Sequence, residues 1–303
     1  MKNKLMIIGS SKIVEEHMKC AIKAGFKLYS LNSSKKKSKN EYKINKKYKF
    51  EKRFNNWKDA IKSALRDDSI IILLAPKFSK NLEILNFALK GNNFVLIEKP
   101  VSTNLIQLEK LRKYQNRIFV LYNRVFYENI QYIKKNILNV KNVVIKFTDN
   151  NKKNILLNSI HIISVMNYLF GEVKIKYSKK EKDAINVVVV NKVGIPIFLI
   201  YNNKFPETYS IDIRTKNTRY LLKPLEKLQI MKKINFKYKK NNKKMLIPIE
   251  KIEKTIDLYK SNTFKPGFFN QMMHIKKILN NKKKFGNLNF AIQAMKFAKQ
   301  FIK

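Results

Sequence analysis

Two charged residues and a proline, Glu98-Lys99-Pro100, follow directly on the apolar run Phe94-Val95-Leu96-Ile97. The run has the length and residue types of a buried strand, and Gly91 stands where a preceding helix would stop. In an open α/β sheet, ligands bind in the crevice beyond the carboxyl ends of the strands. Lys99 is therefore the first candidate for chemistry. A second candidate is the turn Gly9-Ser10-Ser11-Lys12-Ile13-Val14, between an apolar run and an amphipathic segment. Such a turn lays backbone N–H groups and a helix N-terminus against a pyrophosphate. The full dinucleotide fingerprint is G-x-G-x-x-G/A. Here only Gly9 is a glycine, and Ser11 and Val14 hold the other two places. Ser11 still permits backbone approach and offers a hydroxyl; an ordinary strand-turn-helix is the competing reading. A third candidate is Asn32-Ser33-Ser34-Lys35. An NAD enzyme usually carries an acid at this point for the ribose 2′-OH. No acid stands here, and two hydroxyls with a lysine suit a 2′-phosphate. The stretch favours NADP over NAD, against the rival reading of a solvated lysine loop.

The elements that must position these residues follow from periodicity. Apolar runs predict strands at 5–9, 27–31, 69–75, 94–97 and 118–122. Amphipathic spacing predicts helices at 12–24, 56–65, 80–90 and 105–114, the first closed by Gly25 and the third by Gly91. Alternation with short links implies a parallel, doubly wound Rossmann sheet with right-handed crossovers over residues 1–122. The texture then changes. Helices are expected at 129–138 and 158–170, and strands at 142–147, 175–177, 185–191, 195–201, 209–214, 219–222 and 228–238. Consecutive strands with brief turns predict a mainly antiparallel open sheet. Residues 239–244 read as a surface loop, and helices at 268–279 and 288–302 end the chain. The second domain is thus α+β over 123–303, with its last helix expected to pack back on the first domain.

The chain has 303 residues and a formal net charge of +44. That charge invites a nucleic-acid reading. Yet only seven of the 65 basic residues are Arg, the lysines are spread along the chain, and Asn and Ile are also abundant. Lys, Asn and Ile share A/T-rich codons, so a biased genome gives this composition on any fold. Nucleic-acid readers lean on Arg for bidentate contacts. No specific nucleic-acid partner is expected, only weak polyanion binding at low salt. Cys20 is the single cysteine, which excludes an internal disulfide framework and a Cys-based metal site. No metal is expected. No apolar run approaches the ~18–20 residues that span a bilayer. The N-terminal apolar run of about five residues is shorter than a signal-peptide core. A cytoplasmic protein with no membrane partner is expected.

Taken in order, several stretches resemble the glucose–fructose oxidoreductase / inositol dehydrogenase (Gfo/Idh/MocA) family. They are Gly9-Ser-Ser-Lys-Ile with Glu15-Glu-His17, Leu74-Ala-Pro76, Asn86 through Glu98-Lys-Pro100, Tyr122-Asn-Arg-Val-Phe126, Ile160-His-Ile-Ile-Ser164 with Tyr168-Leu-Phe-Gly-Glu172, Lys265-Pro-Gly-Phe-Phe with Gln271, and Leu288-Asn-Phe-Ala-Ile-Gln-Ala. The resemblance covers nearly the whole chain. It implies an NAD(P)-dependent oxidoreductase acting on a sugar, cyclitol or sugar nucleotide, with branches in surface-polysaccharide synthesis among the similar ones. It implies that Lys99 and His161 are catalytic, His161 as proton acceptor. Alone on an apolar helix, His161 would read as a core histidine. Cofactor contacts are expected from Gly9, Ser10, Ser11, Lys12, Ile13, Asn32, Ser33, Ser34, Lys35, Leu74, Ala75, Pro76, Asn81, Glu98 and Lys99. Substrate contacts are expected from Tyr122, Asn123, Arg124, Asn158 and His161. A homo-oligomer through the second-domain sheet is a further expectation.

Two departures bear on activity. Many family members carry an acid four residues before the histidine, and another three after it; here these positions are Leu157 and Ser164. Three readings stay open: a working enzyme of a divergent branch, a nucleotide-binding but inactive partner subunit, and a basic nucleic-acid or membrane-surface binder. The first is favoured.

Overall fold

The protein is represented by a computed structural model that describes residues 3–35, 38–241, 243–261, 263–280 and 286–303, without the side chains of 233, 235–248 and 261. The first half runs β1 (Lys4–Ile8), α1 (Lys12–Lys23), β2 (Lys27–Asn32), α2 (Lys39–Lys47), α3 (Trp57–Ala64), β3 (Ile70–Leu74), α4 (Asn81–Ala88), β4 (Val95–Glu98), α5 (Leu105–Lys110) and β5 (Ile118–Leu121). Next come α6 (Glu128–Asn136), β6 (Val140–Asp149), α7 (Ile160–Phe170), β7 (Val173–Lys180), β8 (Ala184–Asn191), β9 (Pro196–Asn203), β10 (Ser210–Thr215) and β11 (Arg219–Leu222). The chain closes with β12 (Lys227–Asn241), β13 (Lys243–Asp257), α8 (Leu258–Ser261), α9 (Phe268–Asn280) and α10 (Leu288–Ile302). It divides into two compact units, 1–126 with 263–297, and 127–262 with 298–303. The sequence expectation put one break at 122/123; the structure moves it to 126/127 and groups α9 and most of α10 with the first unit.

The first unit is a five-stranded sheet in the order β2-β1-β3-β4-β5, parallel throughout. Its central strands are buried on both faces: Leu5 to Ile8 and Ile72 to Leu74 have no exposed surface. That is why they read as unbroken apolar runs. α1 and α9 share one core, in which Val14, Met18 and Ala21 pack with Phe268, Met272 and Ile275. Lys276 Nζ donates to the Ala24 carbonyl at 2.6 Å, placing a cation at the C-terminus of α1. The open edge of β5 is closed by the chain near 287. The Asn287 amide donates to Val120 O (3.0 Å) and accepts from Val120 N–H (2.6 Å), so one side chain imitates a neighbouring strand.

The second unit is an eight-stranded sheet, β13-β12-β11-β10-β6-β9-β8-β7. Only β6 and β9 run parallel; the other pairs are antiparallel. One face is packed: Ile185, Val187 and Val189 of β8 and Ile197, Leu199 and Tyr201 of β9 alternate inward. Phe147 and Tyr201 pack with their rings tilted at 5.5 Å, and Phe301 closes on Phe147 at 5.6 Å.

Three elements were not legible in the sequence, the one-turn α8 among them. α2 buries only Ile44, so it lacks an apolar stripe. β13 carries Pro248, which argues against a central strand; β13 lies at the sheet edge, where proline is tolerated. The stretch 239–244 belongs to the β12–β13 hairpin, with strand backbone to Asn241 and from Lys243; residue 242 lies outside the described residues. The stretch 105–114 is α5 followed by a 3-10 turn at Leu111–Tyr114, and α7 starts at Ile160, two residues later than expected. Among the described residues, no helix is long and apolar enough to cross a membrane.

Candidate functional site

In the first unit, the turn after β1 is built around a glycine. Gly9 has φ +136°, and a Cβ there would lie 2.2 Å from the Ala75 carbonyl oxygen. Only glycine allows the turn after β1 to touch the turn after β3 so closely. Gly9 N–H donates to Asn32 O, and Ala75 N–H to Ile8 O, both at 2.8 Å, so three strand ends are stitched together. Ser11 is the N-cap of α1, but its hydroxyl makes no cap bond. Ser11 and Lys12 are exposed, and Ile13 packs partly against the core. The first N–H groups of α1 therefore lack a side-chain cap, the condition in which a helix N-terminus takes an anion or water. Leu74 and Ala75 are buried and Pro76 is half-buried, so Leu74 can offer a ligand only its backbone.

Beside this turn, the Ser10 hydroxyl donates to Ser33 Oγ at 3.3 Å and lies 2.9 Å from Ser38 Oγ. Ser33 Oγ also accepts from the Lys35 N–H at 3.2 Å. Ser38 caps α2 by accepting from the Glu41 N–H. Ser34 is half-buried and Lys35 exposed. Glu41 of α2 brings a carboxyl to the end of β2. The Glu41 carboxyl meets the Ser33 backbone N–H, while burial pushes its pKa up. Asn32 is turned inward: it is 1% exposed, and its amide donates to Phe54 O at 2.8 Å.

The Lys99 corner is held from both sides. Glu98 Oε1 lies 2.6 Å from His17 Nε2, and the His17 ring packs on Phe268 at 4.8 Å. The Pro100 carbonyl accepts from Asn81 Nδ2 at 3.0 Å, and the Lys99–Pro100 bond is cis. Lys99 itself is half-buried. Asn81, expected at the cofactor, is only 3% exposed and spends its amide on the corner. Beyond β5, Tyr122 is buried, edge-on to Phe290 at 5.7 Å, and burial drives its phenol pKa well above the ordinary value. It does not line an open surface. Asn123 donates to Pro266 O at 3.3 Å, and Arg124 beside it is half-buried.

In the second unit, His161 is half-buried in the first turn of α7, and its carbonyl accepts from the Ser164 hydroxyl at 2.7 Å. Asn158 lies before the helix rather than one turn back along it, exposed, with its amide 3.5 Å from Asp149 Oδ1. Asp149, at the end of β6, accepts from the buried Ser159 hydroxyl at 2.8 Å. Ser159 has one proton and gives it to Asp149. The Tyr209 hydroxyl, 2.8 Å away, is then the donor to Ser159. A carboxylate thus anchors the start of α7, although none lies at 157 or 164.

No family model matches the sequence, and no curated protein matches it. Solved structures do. A dehydrogenase (MviM) from Clostridium difficile superposes with a TM-score of 0.77, over 100% of this chain and 99% of that one, at 19% identity. A myo-inositol dehydrogenase from Corynebacterium glutamicum gives 0.68 at 13% identity, covering 99% and 95%. An oxidoreductase from Agrobacterium radiobacter, solved with NAD+, L-tartaric acid and magnesium, gives 0.72 at 13% identity, covering 99% and 95%. This chain has the Gfo/Idh/MocA fold.

Within the Gfo/Idh/MocA fold, several of the stretches quoted from the sequence fall at strand ends. The Gly9 and Leu74-Ala-Pro76 turns follow adjacent parallel strands, and Glu98-Lys-Pro100 ends the next one. What the sequence did not show was who holds these corners. His17 and Glu98 are 81 residues apart, and Asn81 and Pro100 are 19 apart. No helical or strand period links such positions.

Proposed function

We propose that this chain is a nicotinamide-dinucleotide-dependent oxidoreductase acting on a hydroxyl-bearing carbon of a sugar, cyclitol or sugar nucleotide. The observation that carries the reading is the Lys99 corner, at the carboxyl end of a buried parallel strand and fixed on both sides, in the same sheet as the uncapped Gly9 turn. The relatives in fold include an oxidoreductase solved with NAD+ and a myo-inositol dehydrogenase.

The residues fit a dinucleotide. The Gly9–Ser11 backbone and the N-terminus of α1 suit its pyrophosphate. Ser33, Ser34 and Lys35 suit a ribose 2′-phosphate, which favours NADP; the nearby Glu41 carboxyl is engaged by the Ser33 N–H. When bound, the nicotinamide accepts or returns the hydride. Lys99 donates a hydrogen bond to the reacting oxygen and stabilises charge that grows there. His161 is assigned the hydroxyl proton, because an imidazole exchanges protons near neutral pH. That assignment is supported by the sequence resemblance and by the Asp149–Ser159 anchor beside it.

Two measurements test the reading together. Mass spectrometry of small molecules released from the purified protein is expected to find NADP(H) or NAD(H). In a panel of sugars and cyclitols with either cofactor, Lys99→Met is expected to lower turnover about 100- to 1,000-fold, the cost of one lost electrostatic donor. Turnover unchanged in Lys99→Met would remove Lys99 from the chemistry. Saturable nucleotide binding without turnover on any substrate would favour an inactive partner subunit.

A further inference from the structure

Lys99 is bracketed by two buried side chains that the reaction above does not use. His17 has no exposed surface and grips Glu98; Asn81 is 3% exposed and grips the Pro100 carbonyl. Neither presents its side chain at the surface. A buried imidazole and a buried amide are costly to desolvate, and the cost is offset only by the hydrogen bonds they make. Those bonds go to the residues immediately before and after Lys99.

The helices that carry them add a second fact. α1 begins directly after the Gly9–Ser11 turn, and α4 begins with Asn81 itself, a few residues after Ala75-Pro76. The two turns touch, since a Cβ on Gly9 would strike the Ala75 carbonyl. His17 lies in the second turn of α1, on the face that packs against Phe268 of α9. An anion held at the N-terminus of α1 therefore acts on a rigid element whose second turn is hydrogen-bonded to the residue next to Lys99.

We propose that His17 and Asn81 are the positioning residues of Lys99, and that through them a dinucleotide seated on the two turns sets the place of the lysine. The proposal rests on the nucleotide reading above. A ligand shifts an arrangement only through contacts that differ between its states. The His17–Glu98 bond is the link that would carry such a shift to Lys99 on the α1 side, and the Asn81–Pro100 bond the link on the α4 side.

The test reads Lys99 directly and needs no substrate. The full chain is acetylated with an N-hydroxysuccinimide ester, with and without saturating NADPH or NADH, and Lys99 acetylation is followed by peptide mass spectrometry. In the wild type, nucleotide is expected to slow Lys99 acetylation about tenfold, within the usual range of coupling between sites. In His17→Ala, nucleotide still binds but the slowing falls below about threefold. His17→Gln, whose amide nitrogen can reach Glu98, restores it, a recovery that a merely space-filling role would not give. Asn81→Ala is expected to behave as His17→Ala does. Should His17→Ala not fold, Glu98→Ala breaks the same bond, and the same loss is expected. A variant that binds nucleotide and keeps the full wild-type slowing overturns the proposal alone. A wild type that binds neither nucleotide overturns the nucleotide reading, and the proposal with it.

Discussion

His17 Nε2 lies 2.6 Å from Glu98 Oε1, so the helix that starts at the glycine turn is bonded to the strand end that carries Lys99. His17 is fully buried and Glu98 keeps partial access to solvent. Removing one member of such a pair leaves the other without its partner. His17→Ala is expected to lower unfolding stability by about 1–3 kcal/mol in denaturant titrations, and His17→Gln by less. Equal losses in the two variants would mean that packing on Phe268, rather than the bond to Glu98, explains the residue.

Gly9 faces a stricter demand. Its φ is +136°, and an added methyl would meet backbone, which cannot rotate away. Gly9→Ala is expected to cost about 2 kcal/mol or more in stability. It should also weaken nucleotide binding, because the two turns are forced apart. A variant with wild-type stability would show that the Gly9 and Ala75 turns do not approach as described.

The start of α7 depends on Ser159, which is buried and gives its proton to Asp149. Ser159→Ala leaves the Tyr209 hydroxyl without that acceptor and is expected to cost about 1–3 kcal/mol. Asp149→Asn should cost a similar amount, and the double variant less than the sum, because the residues form one network. Additive losses would show that the groups act independently.

Cys20 offers a probe of the first unit. It is buried in α1, and desolvation pushes its thiol pKa up to about 12. Unfolded thiols titrate near about 8.5, so the folded state binds this proton more tightly. The thiol's contribution is full below that value and is lost as pH rises through the folded pKa. The stability gap between wild type and Cys20→Ala is expected to shrink between about pH 8.5 and 12. Native protein at pH 8 should resist iodoacetamide until unfolded. Rapid labelling of folded protein would contradict the packing of α1.

Much of the fold was legible because the parallel strands are buried on both faces and so appear as unbroken apolar runs. Gly9 and Gly25 marked a turn and a helix end for the same conformational reason, a positive φ. Lys99 was legible from its place at a strand's carboxyl end. α2 was hidden because one buried isoleucine makes no period, and β13 because Pro248 argues against a strand unless the edge is known. The supports of the site were hidden for a different reason. His17, Asn81 and Asp149 act across long or irregular separations, and only the fold brings them to Glu98, Pro100 and Ser159. Asn32, Asn81 and Tyr122 were expected to face a ligand from the family resemblance; the structure turns them inward instead.

The most direct measurement is a calorimetric titration of the purified full chain with NADPH and with NADH, repeated at low and high salt. The account predicts saturable binding of one nucleotide per chain, tighter for NADPH, in which the preference narrows in Lys35→Ala while Lys99→Met still binds. Absence of saturable binding of either nucleotide, together with salt-sensitive binding of a polyanion, would contradict it and leave a basic surface on an oxidoreductase fold.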